Sequence, residues 1–380
     1  MNTEHKNIND IVPYGEFIRG FANQSFLTNA ELHRIMKTRG IFFSFHDKDI
    51  MVPILQTLLL SPKEFDNIRE CFNTKEDNEK RISRPIDWAD NQPLLRQDVL
   101  ECQLDGFIKK NLPTCNLTKP VRLYAVDNNP KHLKADIELE RNDLNKSWYE
   151  QKNIFKASFE FIKGEDNKGE VKITHTAPET KILAEYVVKT KKEEFESKQM
   201  ITDKNAMRKI LFKDFSNEDR IVFLFRLSTH LDNHIFKCIE IGDVSLKPEI
   251  DTNLPEKISW MNQIKKLLMS GQKLNETFFI KENTYHKHIA IWSIDAKFEY
   301  NYNGTQGECY FTFGFPDYGT IQKFDSEFEL NLSLSNPKSV RLDAREKKIL
   351  KNKLLEEMDK QKMIVYNKFV EYKNNKTENA

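Results

Sequence analysis

Residues 324–334 alternate without a break. Phe324, Ser326, Phe328, Leu330, Leu332 and Leu334 fall on one side, and Asp325, Glu327, Glu329, Asn331 and Ser333 on the other. A period of two places these sets on opposite faces of a strand. One apolar and one polar face means an antiparallel sheet with one side in water, and the apolar side needs a cover. The chain supplies a candidate directly afterwards. From Leu342 or Asp343 to Tyr372 it reads as one helix, with Leu350, Leu354, Met358, Val365, Phe369 and Tyr372 on one stripe. Beyond Met363 the helix is apolar on several sides, through Ile364, Val365, Tyr366, Phe369 and Val370. Side chains of that size are not left in water at that density. Residues 350–372 are therefore expected to pack on the sheet or to pair with another chain. The charged first half, Arg341 to Lys353, is expected to face solvent.

Other stretches fill in an α+β chain. Phe155 to Phe161 alternates, and Val171, Ile173 and His175 continue an apolar face after a turn at 164–169, which predicts a hairpin. A shorter strand is expected at 121–126. Helices are expected from Pro178, with Ile182, Leu183, Tyr186 and Val187 as core stripe, and near 203–213 and 217–229. Ile235 to Ile241 reads as a strand. Leu100, Leu104 and Ile108 recur every four residues, which predicts a helix over 94–108. Pro255 to Gly271 predicts another helix, carrying Ile258, Ile264, Leu267 and Leu268. Strands follow at 277–281, 288–300, 308–313 and 322–334, with Asn303-Gly304 as a hairpin signal. The expected division is 1–72 helical, 73–120 connection, 121–250 an α+β domain, and 251–380 an antiparallel sheet domain with the long helix.

With 380 residues, 39% hydrophobic and 31% charged, the chain is long and apolar enough for a real core. Its formal charge of +1 excludes a chain that coats nucleic acid along its whole surface. Any such contact must come from local patches. Five scattered Cys without a CxxC point to reduced thiols and a cytoplasmic setting rather than a disulfide scaffold or zinc ribbon. No apolar run of about eighteen residues exists, so no membrane span is expected.

The N-terminal region carries the most specific pattern. Thr28 with Glu31, and Ser61 with Glu64, are capping boxes, and Pro62 follows the second cap at N1. The first helix, roughly 29–39, presents Leu32, Ile35 and Met36 and ends at Gly40. Ile41 to Ser44 reads as extended. A second helix starts near Asp49 with Ile50, Ile54, Leu55 and Leu58. Leu27-Thr28, Glu31-Leu32, Arg39, Gly40-Ile41, Ser44, Ile50-Met51 and Ile54 follow in the order of a helix-extended-helix module. Residues 26–60 thus resemble the SAP domain, a DNA-binding family. Phe45 stands where that family has Gly, and Asp47 where it has a phosphate-meeting Lys, with Lys48 one place late. The resemblance implies DNA contact, and Arg34, Lys37 and Arg39, clustered on the polar side of the first helix, are with Lys48 the candidate contacts. From Lys338 to Lys376 there are twelve Lys and Arg against six Asp and Glu. Arg345, Lys347, Lys348, Lys351 and Lys353 form a second candidate patch, since phosphate contacts are largely electrostatic. The same basic faces are also what a solvated helix presents.

Catalytic signals are sparse. No GxxxxGK[ST], GxGxxG or GxSxG occurs. His230 with His234, and His286 with His288, have one-face spacing, but no acidic ligand accompanies them. A metal-dependent nuclease would want an acid-x-Lys pair on a strand with an upstream acid. Glu282, Asp295 and Lys297 are the best set, and magnesium would be the cofactor under that alternative alone. Glu170-Val171-Lys172 has the same form, with its nearest upstream acid too close on a turn. The reading is a non-enzymatic binding subunit of an intracellular complex acting on or near nucleic acid, with a protein partner or a second copy. The alternatives are the nuclease, or a protein-interaction scaffold, in a host-defence context.

Overall fold

A computed structural model describes residues 6–378, apart from 45–46, 77, 91, 96–100, 165, 202–206, 250–253, 272–273, 275–276, 336 and 338–341. The chain forms two compact units. The first comprises Met1–Asn78, Gln92–Phe161 and Ile173–Lys198, and the second Glu79–Asn91, Ile162–Lys172 and Gln199–Ala380. The architecture is α+β.

The first unit begins with four helices: α1 (Glu16–Ala22), α2 (Asn29–Thr38), α3 (Lys48–Thr57) and α4 (Pro62–Glu76). Both capping boxes form, and Pro53 is tolerated inside α3. Leu32, Met36, Met51, Leu55 and Phe72 are wholly buried in one core, where Phe21 meets Phe72 and Tyr149 at ring-centre distances of 6.0 and 5.0 Å. The unit continues with α5 (Asp105–Asn111), β2 (Cys115–Leu117), β3 (Tyr124–Val126), β4 (Asn129–Asn142), β5 (Lys152–Lys163), β6 (Lys168–His175) and α6 (Pro178–Ser197). Its strands run β2-β4-β5-β6, with β3 also on β4. The tip of the β5–β6 hairpin belongs to the second unit.

The second unit adds β1 (Lys80–Asp87), α7 (Asn217–Thr229), β7 (Phe236–Pro248), β8 (Leu267–Ser270), α8 (Phe278–Lys281), β9 (Ile289–Tyr302), β10 (Thr305–Gly314), α9 (Pro316–Ile321), β11 (Glu329–Leu334) and α10 (Ala344–Glu378). Its strands run β6-β1-β11-β10-β9-β7-β8. Asn303 and Gly304 turn the β9–β10 hairpin at φ values of 48° and 82°, the left-handed region that Asn and Gly accept most readily. The cover expected for the sheet is present. Helix α10 packs on β11 and on α7, with Leu354, Leu355 and Met358 fully buried and Phe369 stacked on Phe215 at 4.8 Å.

Several expected elements differ. The helix over 94–108 shrinks to α5, because Glu101 bridges Arg122 in extended backbone; Leu100 lies outside the described residues. The helix over 255–271 is a 3-10 segment, Glu256–Gln263, followed by β8, whose backbone pairs with β7 instead of with itself. Residues expected as a strand at 277–281 include helix α8. The expected helix near 203–213 is a bridge from Met207 to Ile86 and a 3-10 turn at Phe212–Asp214; 202–206 lie outside the described residues. The strand over 322–334 is ordered as β11 only from Glu329. Phe324 is 59% exposed, whereas Glu327 and Glu329 of the supposed wet face are buried.

Candidate functional site

Two of the four N-terminal cations hold their own unit together. Arg39 donates from Nε to Glu64 Oε1 and from Nη2 to Glu64 Oε2, both at 2.6 Å, and from Nη2 to the Leu59 carbonyl at 2.6 Å. Lys48 donates to the Gln24 carbonyl at 2.7 Å. Arg34 and Lys37 are exposed on α2. Phe45 lies outside the described residues. On α10, Arg345, Lys348 and Lys353 are exposed and Lys347 and Lys351 half-buried. Lys348 pairs with Glu79 at 3.4 Å and Lys353 with Glu356 at 3.1 Å.

The residues of the nuclease alternative, Glu282, Asp295 and Lys297, have the following surroundings. Lys297 pairs with Glu308 at 2.9 Å and lies over the Tyr310 ring. Sheet register gives Asp295 two neighbours, Asp243 on β7 and Thr312 on β10. Burial raises the Asp295 carboxyl, the Thr312 hydroxyl works against that, and Asp243 adds to it. Glu282 is exposed, just past α8. His286 donates from Nε2 to the Ile280 carbonyl, 2.6 Å away, and His230 meets Thr229 at 2.7 Å. Among the described residues no group of three or more His, Cys, Asp or Glu is placed to hold a metal.

The other acid-x-Lys pair finds its acid far along the chain. Glu170 and Lys172, on β6, meet Asp359 of α10. Lys172 Nζ is 3.3 Å from Glu170 Oε2, Lys362 Nζ is 2.6 Å from Asp359 Oδ1, and the Ser83 hydroxyl donates to Asp359 Oδ2. Asp359 and Lys362 are each 1% exposed. The two carboxyls also share a hydrogen bond. Burial opposes ionisation of Asp359, but Lys362, Lys172 and Arg81 outweigh it and hold that carboxyl below the usual range. Burial, then the Asp359 charge, holds Glu170 above it. Two carboxyls this close oppose each other's ionisation. Burial opposes the charge on Lys172, but Glu170 and Asp359 raise its pKa overall.

Glu170 lines a cleft of about 470 Å³. Pro85, Ile86 and Asp87 of β1 form part of the wall, and Met363, Asn367, Val370 and Glu371 of α10 another part. Asp87 and Arg208 pair at 3.4 Å on its border. A perturbed carboxyl beside a cleft marks a candidate site, and structural networks perturb carboxyls in the same way. Here Lys362 and Lys172 already neutralise the pair, so it serves first to fix α10. A sequence signal for it exists. Asp359 and Lys362 stand four and seven residues after buried Leu355, in phase with an apolar stripe where charge is not expected.

No helix is long and apolar enough to cross a membrane among the described residues. The comparison with curated proteins returned no match. Among solved structures the chain is similar to the crystal structure of DynU16, a protein in the dynemicin biosynthetic locus. That similarity has 7% identity, 76% of this chain and 98% of the other covered, and a TM-score of 0.20, too low to carry an argument. Residues 16–78, which are α1 to α4, match the family model of the GAPS4b protein N-terminal domain. The match covers 63 of the 380 residues.

Proposed function

We propose that this chain is a non-enzymatic binding subunit of a bacterial anti-phage defence complex. The single observation behind the reading is the match at residues 16–78, which coincide with one helical core. In this proposal the subunit acts on or near nucleic acid, and the contacts are Arg34 and Lys37 on α2 with the basic first half of α10. Arg39 and Lys48 are left out of the proposed contact because each already donates within its own unit.

Binding of duplex DNA, measured against salt, tests the nucleic-acid contact. The change Arg34→Glu with Lys37→Glu should weaken binding and reduce the salt slope by about two, one for each lost phosphate contact. Loss of phage protection in a bacterial host on deletion of residues 16–78, with the remaining chain still expressed, tests the defence role.

A second reading is a protein-interaction scaffold. It is favoured by exposed apolar side chains in the same unit, Phe42 at 69%, Ile50 at 44% and Leu59 at 78%. Absence of any affinity for DNA or RNA at low salt, with phage protection retained, would select it over the first.

A further inference from the structure

Strand β7 is paired along only part of its outer edge. On one side β9 runs beside it from Phe236 to Pro248. On the other, β8 covers Asp243 to Leu246, and Gly271 N–H extends that pairing to the Gly242 carbonyl at 3.0 Å. Among the described residues no strand pairs with Phe236 to Ile241 on that side. Asn301 N–H donates to the Ile235 carbonyl, so Ile235 faces β9. Antiparallel pairing alternates, so Phe236 and Cys238 turn their amides and carbonyls outward. Phe236 N–H accordingly donates to Asn233 Oδ1 at 2.9 Å. The Cys238 amide and carbonyl are left at the open edge. A groove of about 350 Å³ is lined by these same residues, with Ser228, Thr229 and Leu231, at and just beyond the end of α7, as its other wall.

Charge along this edge is ordered. The register skips a residue between Cys238 and Glu240, so Lys237 and Glu240 lie opposite Glu299 and Lys297, which share one face of β9. Lys297 is held by Glu308 at 2.9 Å, and among the described residues neither Lys237 nor Glu240 forms an ion pair. Cys238, between them, turns to the other face, where it packs at the margin of the second unit's core. A bulge can blunt an edge against pairing. Here β8 pairs right up to the second bulge of β7, at Gly242, so the bulges of this strand leave its outer edge usable.

We propose that an extended segment of a partner protein adds to this edge as an antiparallel strand, in line with β8. Its central residue donates its N–H to the Cys238 carbonyl and accepts from the Cys238 amide, and its side chain enters the groove beside Leu231. Main-chain bonds supply affinity in such an addition, and alternate side chains supply selectivity. The order of charge selects the segment. Running antiparallel, it brings the residue before the centre opposite Glu240 and the residue after it opposite Lys237, so a basic residue precedes and an acidic one follows. The groove lies outside residues 16–78 and does not depend on the match there.

Fluorescence anisotropy on the full chain tests this with a labelled heptapeptide, blocked at both ends, whose central residues are lysine, valine and glutamate in that order. It should bind saturably. The same peptide with lysine and glutamate exchanged should bind about fivefold or more weakly, since two surface ion pairs become like-charge contacts. N-methylation of the valine amide removes the donor to the Cys238 carbonyl and should weaken binding roughly tenfold or more. The double change Lys237→Glu with Glu240→Lys should reverse the preference between the two peptides at an unchanged melting temperature, a result that damage to the fold would not produce. No saturable binding, an N-methylated peptide that binds as well as its parent, or an unreversed preference in the double variant would each overturn the proposal. So would a dimer of the peptide-free chain in sedimentation that Ile239→Lys dissociates, because Ile239, 48% exposed, would then mark an edge taken by a second copy.

Discussion

Arg84 and Glu327 meet in a two-point ion pair, Nε to Oε1 at 2.6 Å and Nη2 to Oε2 at 2.7 Å, with side chains 2% and 5% exposed. Burial works against the Glu327 charge, but the Arg84 hydrogen bonds and charge, with Lys209 behind them, hold the carboxyl below its usual range. Removing one member strands the other. Arg84→Ala should therefore cost about 3–5 kcal/mol in denaturant unfolding. The double change Arg84→Met with Glu327→Leu should recover most of that loss, because it removes both desolvation penalties. A double variant no better than the single one would mean that Glu327 is not stranded by the loss of Arg84.

Leu32 is fully buried between α2 and its neighbours. Leu32→Ala should destabilise the first unit by about 2–5 kcal/mol, as lost burial plus a residual cavity. Hydrogen exchange in α2 to α4 reads that loss locally. Exchange unchanged from the parent chain would contradict the packing described.

Glu64 links acid stability to the same unit. Arg39 hydrogen bonds first, then those from Ser61, hold its carboxyl down to about 2 from its ordinary value of 4.5. A depressed carboxyl stabilises fully above its unfolded value and loses that contribution as pH falls through its folded value. The first unit should lose stability between about pH 4.5 and pH 2, and Glu64→Gln should flatten that slope. The pair is partly exposed, so salt should weaken the effect.

Helix α10 is tied down by apolar and charged contacts together. Met358→Ala should cost about 2–5 kcal/mol. Deleting residues 354–380 removes Leu354, Leu355, Met358 and the Asp359 network at once. It should abolish cooperative unfolding of the second unit or drive the protein into aggregates. Soluble truncated protein with the parent melting temperature would show that α10 is an independent tail.

Local chemistry made much of the fold legible. Thr28 and Ser61 marked the starts of α2 and α4, and Asn303-Gly304 marked the β9–β10 turn, because caps and tight turns involve neighbours in sequence. The apolar second half of α10 required a cover, and β11 preceded it directly. Where a segment was short, pairing overrode periodicity. Residues 267–270 became β8 because β7 offered backbone partners, and Glu101 became a bridge for the same reason.

The candidate site was not legible in that way. Period two marked Glu327 as a wet-face residue, yet Arg84 from the distant β1 allows it to be buried. Glu170 and Lys172 could be read as an acid-x-Lys pair, but the carboxyl that completes the cluster comes from α10, near the other end of the chain. Sequence by itself determined where helices start, which faces are apolar and that the last helix must dock, because those follow from chemistry within a few residues. Only the tertiary structure decided which charges are buried together and which cations are spent on internal partners. Those outcomes depend on distances between residues that chain spacing does not set.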